Sequence, residues 1–239
     1  MIEKLSLVGF GSTGWGWVFA QAGLMTLLVA FSAFGIGLIV GTLVAWARVS
    51  GSKPVQMAAS AYVSVFRGVP DILVIYLFFF GGRQAVTFVG TALGMQGPFE
   101  VSAFAAGALA VGLISSASQS EVLRGAYQAV PKGTIEAGVV VGMPPLTLFR
   151  RIIAPQALVT AIPGMGNQWQ GTVKDSAVVS VTGLVETMRQ VAIASGTTRE
   201  YLLFAGVGAV IYLLITTFSD YIIRITERMV RYGEEVKVA

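Results

Sequence analysis

Residues 18–46 read VFAQAGLMTLLVAFSAFGIGLIVGTLVAW, 29 positions without one charged side chain. A helix needs about 20 apolar residues to cross a hydrocarbon core about 30 Å thick, so this stretch is long enough to span a bilayer. Four further apolar runs follow, at about 62–80, 100–122, 157–184 and 201–223. Lipid offers the backbone no hydrogen-bond partner, so each run has to close its bonds within a helix. The sequence therefore predicts an all-α membrane protein, one transmembrane domain of five helices over residues 1–239. Composition agrees: 55% of the residues are apolar and 12% charged, against roughly 25% charged in soluble domains.

The first run is too long for a removable leader, and MIEK before it is not basic, so Ala45-Trp46-Ala47 is read as part of a retained helix and not as a cleavage site. Lysine and arginine set the orientation. With the N-terminus outside, eleven fall on inside segments, namely Arg48, Lys53, Arg67, Arg124, Lys132, Arg150, Arg151, Arg224, Arg228, Arg231 and Lys237. Four fall outside: Lys4, Arg83, Arg189 and Arg199. The excess predicts a periplasmic N-terminus and a cytoplasmic C-terminus. Lys174 is left within a span.

Much chemistry is excluded. Cysteine and histidine are absent, which removes disulfides, thiolate and imidazole metal sites and histidine-based triads. The net charge of +4 is spread over several loops and describes topology, not a nucleic-acid partner. Gly9 to Gly14 fit GxGxxG, but a membrane span follows, so this is a flexible entry to the first helix and not a dinucleotide site. No phosphate-binding GxxxxGK[ST] is present, and no repeat relates the two halves.

The longest inside segment runs from about 124 to 156. Lys132-Gly133 breaks the chain, Thr134 to Val141 can form a short helix, and Gly142 with Pro144-Pro145 ends it. A second helix starts near Pro145 and carries Arg150 and Arg151 towards the membrane surface. A short apolar helix held there must bury its side chains, either against a partner protein or in the lipid headgroups.

The spacing Glu136-Ala137-Gly138, three residues, Gly142, nine residues, Ile152-Ile153-Ala154-Pro155 resembles the EAA motif of ABC importer permeases. Gly138 stands where that motif has alanine, and Ala154 where it has leucine. RGVPD (67–71), EVLRGAYQAVPKGTIEA (121–137), FRRIIAPQA (149–157), IPGMGNQWQ (162–170) and KDSAVVSVTGL (174–184) extend the resemblance over nearly the whole chain. They look like the polar amino acid permeases, most of all the histidine, basic amino acid and opine branch. The resemblance implies a type I importer permease fold in the bacterial inner membrane, with no catalysis and no cofactor in this chain. It implies that Glu136, Ala137, Gly138, Gly142, Pro144, Arg150 and Arg151 form a coupling element for a cytoplasmic ATPase dimer, which holds ATP and Mg. It further implies a periplasmic binding protein and a second permease, as a heterodimer in preference to a homodimer.

Charges inside spans cost about 2.5–3.5 kcal/mol each on insertion scales, so they persist where paired or facing a polar cavity. Glu121 closes the polar run SSASQSE, with Ser115, Ser118 and Gln119 forming a stripe that either lines a route or packs helices, and Glu121 can pair with Arg124. Lys174 and Asp175 follow Asn167, Gln168 and Gln170, and as neighbours point about 100° apart. Either they form a structural pair, or Asp175 faces a route where it would meet a cationic solute. Arg67 and Asp71 suggest a bend with an ion pair across Pro70, and Asp220 suggests a pair with Arg224. If the charges are ion sites instead, the chain would be a self-sufficient ion-coupled carrier or channel.

Overall fold

The computed structural model describes residues 6–11, 14–95 and 100–238, with side chains as far as Val230. Lys4, Ser12, Thr13 and the side chains of Arg231 and Lys237 lie outside the described residues. No strand occurs among the described residues.

Nine helices are labelled here. α1 is Gly16–Ser50, α2 is Lys53–Gly68, and α3 is Asp71–Ala92 with a π turn at Leu77–Gly81. α4 is Ala103–Ala129, α5 is Lys132–Val140 and α6 is Pro145–Leu148, which a π turn at Phe149–Ile153 joins to α7, Ala154–Asp175. A 3-10 turn, Ser176–Thr182, precedes α8, Thr187–Thr198, and α9 is Tyr201–Val238. Four helices are long and apolar enough to cross a membrane (α1, α3, α4 and α9), and a fifth span arises if Pro145–Thr182 and Thr187–Thr198, bent by 51°, are taken as one.

Contacts along the helices give their directions. Gly37 meets Gly112 and Gln119, Gly41 meets Ser116 and Ser120, and Arg48 meets Glu121, so α1 and α4 run parallel. Phe19 stacks on Phe204 with ring centroids 5.7 Å apart, and Gly23 meets Ile211, so α9 runs the same way. Gly107 against Val179, Ser115 against Thr172 and Gly164 against Val122 make α7 antiparallel to α4. Gly16, Ala103 and Tyr201 therefore mark one end, the head. The C-termini of α1 and α4 mark the foot, where α5 and α6 lie.

α4 is the central helix, with 67% of its most apolar window buried, against 11% for α3 and 17% for α9. Its small residues explain this, because alanine, glycine and serine let backbones approach closely where lipid removes any hydrophobic drive between helices. A side chain at Gly41 would stand 2.9 Å from the Ser116 carbonyl. Of the two uses open to the polar stripe, to line a route or to pack helices, packing is the one seen: Ser115 bonds Thr172 at 2.9 Å, and Gln119 donates to Ser115 at 2.8 Å and to the Phe34 carbonyl at 3.4 Å.

The second predicted span, 62–80, straddles a corner. Proline disfavours the helical conformation in the residue before it, and Val69 is extended at φ −91°, ψ 135°, so α2 stops at Gly68 and α3 begins at Asp71. α2 climbs beside α4, where the Tyr62 hydroxyl lies 2.7 Å from Ser116 Oγ. Arg83, assigned to an outside loop, lies within α3. The bend at Pro70 is present, but no ion pair joins Arg67 to Asp71, whereas Arg224 and Asp220 do pair, at 2.7 Å. The first helix runs on to Ser50, and the last to Val238. The loop expected from 124 is helical to Ala129, and its distal part passes without a break into α7.

Candidate functional site

At the foot, α5 ends in a pattern that fixes its angle. Met143 N–H donates to the Gly138 carbonyl at 3.1 Å and Gly142 N–H to the Val139 carbonyl at 3.0 Å, the paired bonds of a Schellman cap. That cap needs a left-handed residue, and Gly142 has φ +75°. Pro144 then caps α6. The glycine that departs from the EAA pattern has a packing reason, since a methyl at Gly138 would collide with Leu148 Cδ1. Val130, Leu148 and Ile153 form a small core beneath the element, joined by Ile135, Met143 and Ile152.

This core leaves the outer surface uncovered. Val139, Val140 and Val141 are 61%, 84% and 75% exposed, an apolar edge on a helix of nine residues. Glu136, Ala137, Arg150 and Arg151 are also exposed, and none of the three charges has an ion-pair partner among the described residues.

Within the helices, Glu121 is committed to arginine. Its Oε1 accepts from Arg48 at 2.6 Å and its Oε2 from Arg124 at 2.7 Å, while Arg124 also reaches Gln128 at 2.8 Å. Both oxygens are engaged, so Glu121 ties α1 to α4 near the foot. Ser118, half-buried, lies one turn towards the head.

α7 differs on its two sides. Trp169, Thr172 and Val173 are buried, Trp169 and Val173 against Ala30 of α1. Asn167 and Lys174 are exposed, Gln168 and Asp175 half-buried, and the space beside Gly171 is open. Gln170 donates to Asp220 at 3.3 Å, while Lys174 has no acid within ion-pair distance among the described residues. Asp175 lies within electrostatic reach of Asp71 and Lys174, because the start of α3 packs against the 3-10 turn. Two carboxylates from different helices thus lie near enough to repel each other, with open space beside Gly171, one turn from Asp175.

Sequence reasoning missed Glu186, which is fully buried. The break between the 3-10 turn and α8 frees backbone N–H groups that lipid cannot satisfy. Glu186 Oε1 accepts from Arg189 N–H at 2.8 Å, its Oε2 accepts from the Tyr212 hydroxyl at 3.0 Å, and Thr187 N–H donates to Thr26 Oγ1 at 3.1 Å. One carboxylate therefore pins α8 to α9 and, through Thr26, to α1. Glutamate is not a usual N-cap, so no local pattern announced it. Glu186→Ala would strand these donors and cost on the order of 1–3 kcal/mol. The expected result is a lower unfolding temperature in detergent, with Glu186→Gln losing less because its amide oxygen still accepts.

Comparison with known proteins follows the same lines. Residues 33–232 match the family described as binding-protein-dependent transport system inner membrane component. The octopine transport system permease protein OccQ of Rhizobium radiobacter is 50% identical over 226 residues, 95% of each chain. The histidine/lysine/arginine/ornithine transport system permease protein HisQ of Escherichia coli is 36% identical, over 95% of this chain and 98% of that one. A solved amino acid ABC transporter crystallised with histidines superposes with a TM-score of 0.77 at 32% identity, covering 90% of this chain and 95% of that one. Four helices long enough to span, with a bent pair as a candidate fifth, an intact EAA spacing and these likenesses agree: the chain belongs to the binding-protein-dependent transport system inner membrane component family, as a non-catalytic, multi-pass permease subunit of an ABC transporter.

Proposed function

We propose that this permease imports cationic amino acids or opines, and that Asp175, with Asp71 beside it, receives the cationic end of the solute. The observation that carries the reading is that Asp71 and Asp175, from different helices, lie within electrostatic reach of each other with no arginine or lysine bonded to either among the described residues. An intramembrane carboxylate persists where it is paired or meets a polar cavity, and a passing guanidinium or ammonium supplies the missing charge. Octopine, the solute named for OccQ, and the arginine and lysine named for HisQ all carry such a group. Asn167, Gln168 and Lys174 extend the polar face, whereas Glu121 serves the α1–α4 contact. This assignment narrows the set expected from sequence.

The rest follows from polarity and charge. The foot, which carries Arg48, Arg124, Lys132, Arg150 and Arg151, faces the cytoplasm, and the head faces the periplasm. There the apolar edge Val139 to Val141 sits in a groove of a cytoplasmic ATPase dimer, flanked by Glu136 and the two arginines. ATP and Mg bind to that ATPase. A binding protein delivers solute to the head, and a second, related permease completes the pathway as a heterodimer.

The test is uptake. Vesicles holding this chain with its partner permease and ATPase should accumulate octopine or arginine only with internal ATP and external binding protein. Uptake by the chain alone, without ATP, would establish the ion-coupled carrier instead.

A further inference from the structure

We infer that Arg83 and Glu100 form an outer entry station that takes the carboxylate and amino groups of the solute before it descends to Asp71 and Asp175. This rests on the reading that the chain carries amino acids or opines. Arg48, Arg124 and Arg224 each have a carboxylate within 2.7 Å. Arg83 has none within 4 Å among the described residues, although it stands in a 22-residue apolar helix. An unpaired guanidinium on a membrane-spanning helix is unfavourable against lipid, so it faces water or a ligand.

A cavity of about 220 Å³ opens beside it, lined by Phe79, Arg83, Glu100, Val101 and Ala103. This is below the roughly 300–1,000 Å³ of sites for drug-sized ligands and suits one small solute. The two charges flank the space without pairing with each other. A guanidinium can hold a carboxylate by two parallel hydrogen bonds, and a carboxylate opposite accepts from an ammonium. A zwitterion satisfies both at once.

The π turn at Leu77–Gly81 aligns this station with the deeper one. Arg83 follows Asp71 by twelve residues, which in a regular helix would place them about 120° apart. A π turn acts as one inserted residue, so the interval behaves as eleven, three turns, and the two side chains lie within about 20° on one face. Their separation along the axis is roughly 17 Å, longer than one amino acid, so the two stations act in succession. Glu100 and Ala103 stand at the head of α4, which makes the Arg83 station the outer one.

The experiment uses the reconstituted transporter with all its subunits and binding protein. Wild-type uptake of arginine or octopine reads the solute class, and the ratio of variant to wild-type KM on the amino acid carried reads the station. Arg83→Gln and Glu100→Gln should each raise KM about tenfold, the loss falling on KM and not kcat, while Arg83→Lys recovers part of it. Unchanged KM in both neutral variants would overturn the proposal. So would a matching loss of affinity for the binding protein, which would make the pair a protein contact. Should Arg83→Gln fail to assemble, Glu100→Gln, outside any helix, decides alone.

Discussion

Asp175→Asn should cost cationic substrates about tenfold or more in kcat/KM, because it removes a charge-assisted contact worth about 1.5–3 kcal/mol. Citrulline has the shape of arginine without its charge, so uptake of the two separates charge from fit. The expected result is a large loss for arginine or octopine and little for citrulline, each relative to wild type. Equal loss for both would make Asp175 a structural residue of the α7 terminus. Asp71→Asn should act in the same direction. Since both carboxylates would face one cation, the double variant should lose less than the product of the single losses.

The second large effect is expected at Gly142. Its φ of +75° costs other residues roughly 1–2 kcal/mol, and a side chain there meets no atom within 4 Å, so the backbone and not crowding decides. Gly142→Asp should leave the chain inserted and co-purifying with its partners. It should lower substrate-stimulated ATP hydrolysis about fivefold or more, since tilting α5 withdraws the edge Val139 to Val141 from the ATPase. Asparagine enters the left-handed region more readily and adds no charge, so Gly142→Asn should retain part of the stimulation. Full stimulation in an assembled Gly142→Asp complex would remove α5 from the coupling path.

Much of this could be read from residues alone where the cause is local. The helical ends at Gly142 and Pro144 follow from chain sterics within a few residues, and the start of α6 at Pro145 was placed correctly. The corner at Pro70 is equally local and is announced by the proline, while hydropathy, which averages over about 20 residues, runs one span across it. The polar stripe on α4 was legible as polar, but its use was not. Serine and glutamine lining a route look the same in sequence as serine and glutamine joining helices, and only the neighbours Thr172 and Phe34 decide.

The sequence by itself determined the membrane, the all-helical class and the EAA spacing, because hydropathy, charge bias and turn chemistry act over short stretches of chain. Tertiary structure decided which charges are already matched. Arg48 reaches Glu121 across 73 positions and Tyr212 reaches Glu186 across 26, whereas Asp175 and Arg83 find no opposite charge within ion-pair distance among the described residues. An ion pair depends on distance in space, and chain separation carries no information about it until the helices have packed.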